Sequence, residues 1–224
     1  MASRLKRIVI AIDGPAGSGK STVSKMLARA LGLLYIDTGA MYRALTLAAM
    51  RDKIDLEDEN RLTSLAKSSK IDLKEERGGL TIFLDGEDVT GLIRTPELTG
   101  NVKYIARVPG VRAEMVRLQR SIGERGGAVL EGRDIGTVVF PDANYKFYLD
   151  ADQDQRAKRR YKELVELGEK VSLDDIKKDV SARDHSDMTR SVGALKRADD
   201  AIFIDTTKLP IDGVVEKLLA YIKL

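Results

Sequence analysis

The stretch Gly14-Pro15-Ala16-Gly17-Ser18-Gly19-Lys20-Ser21 constrains the fold of this chain more than any other feature. It satisfies the pattern G-x-x-x-x-G-K-[ST] at every fixed position. Ahead of it, Ile8 to Ile12 is a short, β-branched run that reads as a buried parallel strand. Behind it, Val23, Met26, Leu27, Ala30 and Leu31 recur at helical spacing, and Gly32 closes the helix. Leu33 to Ile36 reads as a second strand. Strand, loop, helix, strand is a βαβ unit, which implies a parallel sheet. The glycines let backbone N–H groups turn inward toward phosphate oxygens. The helix starting at Lys20 adds the positive end of its dipole at the same place. This predicts a triphosphate site, expected for ATP, formed by Gly14, Pro15, Ala16, Gly17, Ser18, Gly19, Lys20, Ser21 and Thr22. Lys20 is expected on the β- and γ-phosphates, and the Ser21 hydroxyl on Mg²⁺.

The remaining composition fits such a fold. The 224 residues suffice for one large domain or one domain with insertions. Aromatic residues make up only 5% and tryptophan is absent, so Ala, Val, Ile and Leu must build the core. That suits helices packed on a parallel sheet. The net charge is only +3, and the arginines arrive singly among acidic residues. This points to a small anionic ligand and away from nucleic acid. With no cysteine, disulfides and thiolate metal sites are excluded; with one histidine, His185, so is a multi-histidine site. His185 is expected exposed and without a catalytic role. No apolar run approaches the roughly 20 residues of a membrane helix. Met1 to Arg7 is basic but leads into a strand, so it does not read as a signal peptide. The expectation is a cytoplasmic, monomeric protein with no membrane partner.

Further along, Met41 to Met50 reads as a helix and Asp55 to Lys70 as a weaker one. Ile71 to Leu73 and Leu80 to Leu84 flank Arg77-Gly78-Gly79, a hairpin signal, and Asp85-Gly86 marks another turn. This predicts a small antiparallel insertion in an alternating chain. Pro109 separates two helical stretches, the second from about Val111 to Ile122. Strands are expected at Ala128 to Leu130, Tyr145 to Leu149 and Ala201 to Ile204. Helices are expected at Arg156 to Leu167, Leu173 to Ala182 and Ile211 to Ile222, with a polar segment from Arg183 to Arg190. The fold class is α/β: three layers around a central parallel sheet, with an antiparallel β insertion and a short helical lid.

A phosphate loop specifies a triphosphate, not a reaction. An Asn-Lys-x-Asp guanine-reading motif is absent, which argues against a GTPase. Motor-type ATPases carry an apolar strand ending in an acid. Here the acids after Val129-Leu130 belong to a Gly-Arg-Asp-Ile-Gly loop, which reads as an acceptor site. A phosphate acceptor must be neutralised before it can attack a second anion, and arginines from separate segments suit that task. Candidates are Arg43, Arg112, Arg133, Arg183 and Arg190.

These residues carry a resemblance. Ile12 to Thr22, Asp37-Thr38-Gly39-Ala40-Met41-Tyr42-Arg43, Glu131 to Asp142, and Arg183-Asp184 with Asp187 and Arg190 resemble the bacterial cytidylate kinases of the nucleoside monophosphate kinase family. The resemblance implies phosphorylation of CMP and dCMP by ATP. It also implies core segments at 1–38, 101–155 and 191–224, a nucleoside-monophosphate-binding domain at 39–100, and a lid at 156–190. Arg43 and Arg133 resemble the arginines on the acceptor phosphate. Arg112 and Asp134 resemble the pair that reads cytosine, Asp134 accepting from the exocyclic amine that uracil lacks. Arg183 and Asp187 resemble the sugar contacts, and Arg190 a lid-side phosphate contact. Lys20, Arg133, Arg183 and Arg190 thus form the implied catalytic set, and Thr38 and Tyr42 are expected to line the pocket. The sequence departs from the family at Lys103, where a serine is implied. Arg156, Arg159 and Arg160 read either as a solvated helix face or as a lid face from which one of them covers ATP. Asp13 is read either as a support of the phosphate loop and metal or as a plain strand end. Two alternatives stay open at this point: a kinase for another small acceptor such as UMP, and an ATP-switched nucleic-acid or regulatory module.

Overall fold

The computed structural model describes residues 8–76, 79–166 and 168–223. Arg77 and Gly78 of the expected hairpin turn, the basic segment Met1 to Arg7, and Leu167 lie outside the described residues.

β1 (Val9–Asp13) leads through the glycine loop into α1 (Lys20–Leu31), β2 (Leu34–Asp37) and α2 (Thr38–Arg51). The chain continues through α3 (Glu59–Ser68), β3 (Ile71–Glu76), β4 (Gly79–Leu84) and β5 (Glu87–Asp88) to α4 (Pro96–Ala106) and α5 (Pro109–Gly123). Then come β6 (Ala128–Gly132), a π turn at Ile135–Val139, β7 (Tyr145–Asp150), α6 (Gln153–Glu166), α7 (Leu173–Thr189), β8 (Ile202–Asp205) and α8 (Ile211–Tyr221). Five strands form one parallel sheet in the order β2-β6-β1-β7-β8. The expected insertion is a separate antiparallel sheet, β3-β4-β5.

The side chains of β1 divide the core. Ala11 faces a layer built on Met41, Leu45, Leu62, Ile105 and Met115 of the helices α2 to α5. Ile10 and Ile12 face the opposite layer, with Val23 and Leu27 of α1 and Val214 and Leu218 of α8. Because both faces are covered, β1 is apolar on both sides, as a parallel strand requires. A third, smaller core joins α6 to α7 through Ala157, Leu164, Ile176 and Val180. Among the described residues no helix is long and apolar enough to cross a membrane.

The helix expected to end near Ala182 runs on to Thr189, so the polar segment is helical through that residue. The reason is tertiary: Asp184 is buried against Arg156, which absorbs the polarity that made the segment read as a loop. The parallel register brings Asp13 beside Gly132 and Asp37 beside Glu131, so the strand ends share one edge. In open α/β sheets that edge is where ligands bind.

Candidate active site

The loop after β1 takes its shape from three glycines with positive φ: Gly14 (151°), Gly17 (76°) and Gly19 (89°). A Cβ on Gly14 would lie 1.9 Å from the carbonyl oxygen of Leu149, and one on Gly17 would lie 2.9 Å from that of Arg156. Donors outside the loop hold three successive carbonyls. Arg156 Nη1 donates to Ala16 O (3.1 Å), Arg159 Nη1 to Gly17 O (3.3 Å) and Thr206 Oγ1 to Ser18 O (3.0 Å). Since a trans peptide sets C=O and the next N–H in opposite directions, the Gly17 and Gly19 N–H groups face the other way. The result is a concave array of donors at the start of α1, suited to an anion.

Lys20 is buried and donates through Nζ to Pro15 O (2.6 Å) and Ser18 Oγ (3.3 Å). Burial pushes its pKa well below the usual lysine range, and the nearby Arg133 guanidinium pushes the same way. A bound anion would offset both. Ser21 Oγ donates to Glu131 Oε2 (2.9 Å), and Tyr35 OH donates to Glu131 Oε1 (2.5 Å). Burial, with Asp37 nearby, pushes the Glu131 carboxyl up. Thr38 Oγ1 donates to the Glu131 carbonyl (2.6 Å), tying α2 to the end of β6.

The arginines come from separate elements. Asp37 caps α2 by accepting from Ala40 N (2.8 Å) and pairs with Arg43 Nη2 (3.0 Å). Arg133 Nε pairs with Asp187 Oδ2 (2.7 Å). Arg190 donates to Gly193 O (2.6 Å) and lies 3.4 Å from Asp187. Burial works against Asp187, yet Arg133 and Arg183 hold its carboxyl below the usual range. Arg183 itself makes no hydrogen bond or ion pair among the described residues. Burial, and next Arg133, push it down to about 10, with Arg43 and Arg160 contributing. Arg133 and Arg183 both act on Lys20, and Arg133, Arg43 and Arg160 act on Arg183, so these cations lie near one another, with Glu131 and Asp187 as acids among them.

Deeper in, Arg112 and Asp134 form a buried ion pair, and the Arg112 guanidinium stands 5.7 Å from the Tyr42 ring centre. The Tyr42 hydroxyl is pushed up to about 12, first by burial. The loop that presents Arg133 and Asp134 is pinned by Asp13, whose two carboxylate oxygens accept from Ile135 N and Gly136 N, both at 2.8 Å. Asp13 thus supports the loop that carries Arg133 and Asp134, a role the sequence reading did not weigh. Lys103 and Tyr104 of α4 share a cavity of about 420 Å³ with Ser186, Asp187 and Arg190. The Lys103 ammonium rests over the Tyr104 ring at 5.0 Å, on the wall of the cavity that Asp187 and Arg190 also line. His185 is exposed on α7.

Sequence reasoning passed over Glu131. It assigned the acids after Leu130 to the acceptor loop, whereas Glu131 lies on β6 and reaches back to Ser21. Its signal was there: an apolar strand ending in an acid. Thr206 and Asp184 were missed because their partners lie far away in sequence. The three arginines of α6 are now distinguishable. Arg156 and Arg159 are committed to the outside of the loop, while among the described residues Arg160 has only the exposed Glu163 (2.7 Å) as partner.

Comparison with known proteins decides the family, because the cytidylate kinase profile matches residues 10–224. The chain belongs to the cytidylate kinase family. The motif resemblance read from the sequence is thereby shown. A cytidylate kinase from Geobacillus sp. is 50% identical over 212 residues, covering 95% of each chain. One from Anoxybacillus flavithermus is 48% identical over 218 residues, covering 97% of each. A crystal structure of an uncharacterized protein from Eubacterium ventriosum superposes with a TM-score of 0.53 at 13% identity, over 96% of this chain and 98% of that one. At that identity the likeness concerns the fold alone.

Proposed function

We propose that the protein transfers the γ-phosphoryl group of ATP to the phosphate of CMP or dCMP. The buried Arg112–Asp134 pair beside Tyr42 carries this reading. It offers a planar donor and a charged acceptor at the far end of a basic space that begins at Lys20. A cytosine presents the matching carbonyl and exocyclic amine. Family membership and the names of the relatives support the same acceptor.

In this reading Lys20 and the loop N–H groups hold the donor phosphates, while Arg43 and Arg133 neutralise the acceptor phosphate. Arg183, with no bond to give up, and Arg160, with only an exposed one, stabilise charge on the group in transit. An acceptor oxygen bonds to the γ-phosphorus as the bridge to the β-phosphate breaks. That oxygen is already anionic, so no general base is required. Asp187 and Arg190 close the sugar side of the cavity, and the α6–α7 unit, residues 156–190, acts as the lid that excludes water. Ser21 and Glu131 suit a Mg²⁺ ion that takes most of its ligands from phosphate and water. No group of three acidic or histidine side chains is gathered for a metal among the described residues. When bound, Mg²⁺ neutralises charge on the phosphate oxygens.

The test is an acceptor panel with ATP and Mg²⁺: CMP, dCMP, UMP, AMP and GMP. CMP and dCMP should give the highest kcat/KM. Faster turnover of UMP or of a purine nucleotide would overturn the assignment of Asp134 to the base.

A further inference from the structure

Arg156 makes more bonds than a surface arginine of a lid helix requires. Its Nε donates to Ala151 O (3.0 Å) and lies 3.6 Å from Asp150 Oδ1. Nη1 donates to Ala16 O in the phosphate loop (3.1 Å) and to Asp184 Oδ1 (3.1 Å), and Nη2 donates to Asp184 Oδ2 (2.7 Å). Both side chains are buried, Arg156 at 6% exposure and Asp184 at 7%. The backbone contributes too. The absence of a side chain at Gly17 lets the start of α6 lie directly against the loop, within about the 3 Å at which a Cβ would collide with Arg156.

One guanidinium therefore touches the phosphate loop with one hand and α7 with the other. Asp184 is the neighbour of Arg183 on α7 and lies one helical turn before Asp187. Those residues belong to the acceptor side of the cleft, and Asp187 holds Arg133. The fork of Arg156 matches the carboxylate of Asp184 oxygen for oxygen, so the contact fixes orientation as well as distance. A lysine could not span Ala16 O and both Asp184 oxygens at once.

We propose that Arg156 and Asp184 are positioning residues that couple the two ligand sites, transmitting occupancy of the phosphate loop to the acceptor cations of α7. The inference rests on the proposed donor and acceptor sites. A phosphate settling on the loop amides fixes the peptide whose carbonyl Arg156 holds. Arg156 then fixes Asp184, and with it the register of Arg183 and Asp187 toward the acceptor. Neither Arg156 nor Asp184 touches a ligand in this account. Coupling of this kind is reciprocal: CMP must bias the donor site by the factor with which ATP biases the acceptor site.

The experiment is calorimetric titration of CMP into the full protein, alone and saturated with a non-hydrolysable ATP analogue plus Mg²⁺. In the unaltered protein the analogue should change CMP affinity by about 5-fold or more. In Asp184→Asn and in Arg156→Lys that factor should fall toward one, and in Asp184→Asn, which leaves every bond to the loop in place, each ligand alone should bind within about 3-fold of the unaltered protein, as a coupling term separate from binary affinity allows. A factor that survives in either folded variant overturns the proposal. So does an equal loss of affinity for both ligands with the factor intact, the result of a merely structural prop. A second measurement needs no variant. Hydrogen exchange of the unaltered protein with the analogue alone should slow in residues 180–189 as well as in the loop; protection confined to the loop overturns the proposal. If CMP does not bind the unaltered protein at all, it is the proposed function that fails.

Discussion

Replacing Asp134 with alanine should damage stability and acceptor binding together, by separable amounts. The Arg112 side chain is 3% exposed and that of Asp134 is 8%, so the pair is shielded from water. Among the described residues Nε of Arg112 has no hydrogen-bond partner, and Nη1 has only a 3.3 Å bond to Ala106 O. The other groups acting on Arg112 are the uncharged Tyr42 hydroxyl and Asp187, already paired with Arg133 and Arg190. Removing one partner of a buried pair costs about 3–5 kcal/mol. In a domain of this size about 1 kcal/mol corresponds to about 2–4 °C, so Tm should fall by about 6–20 °C. Loss of a hydrogen bond to a charged group, about 1.5–3 kcal/mol, should raise the KM for CMP by about 10- to 150-fold. The KM for ATP should move by no more than about 2-fold, since the loop is built from other residues. Thermal unfolding followed by steady-state kinetics at permissive temperature reads both effects. An unchanged Tm, or equal rises in the two KM values, would rule out this role for Asp134.

Two further outcomes follow from the same geometry. Gly14→Ala places a methyl group 1.9 Å from Leu149 O on a backbone with φ of 151°, so β1 and β7 must separate or the loop must deform. Lost ATP binding by titration is expected, and full affinity at unchanged Tm would contradict it. Burial raises the Asp13 carboxyl to about 6, so the folded protein holds that proton more tightly than the unfolded chain does. The associated stability, on the order of 3 kcal/mol, is full below about pH 4 and is lost as pH rises through about 6. The Tm difference between the unaltered protein and Asp13→Asn should therefore shrink from pH 4 to pH 7, and a flat difference would be the contrary result.

The donor half of the site was legible because it is local. Glycine spacing, a β-branched strand and a helical period lie within about two dozen consecutive residues, and each follows from short-range sterics. The candidate acceptor arginines were named from their motifs; in the structure Arg43 pairs with Asp37, Arg112 with Asp134, and Arg133 and Arg190 with Asp187. What escaped reading depends on partners distant in the chain. Glu131 meets Ser21 across 110 positions, and Asp13 meets Ile135 across 122. The polar run after Ala182 reads as a loop until Arg156 is known to lie against Asp184. Periodicity cannot report a helix whose buried face is ionic, because its signal is the alternation of apolar with polar residues. Lys103 lies over the Tyr104 ring and lines the same cavity as Asp187 and Arg190, a placement that no motif announces.

The central claim is that the loop donors and the scattered guanidinium groups face one cleft that holds two mutually repelling ligands in line. Calorimetry with adenosine and cytidine joined by a five-phosphate chain tests this directly, because the compound fills both halves only if they share that cleft. One molecule should bind per chain, at least about 10²-fold tighter than ATP or CMP alone, with the gain lost in Arg133→Ala. Binding no tighter than ATP alone, or two molecules per chain, would contradict it.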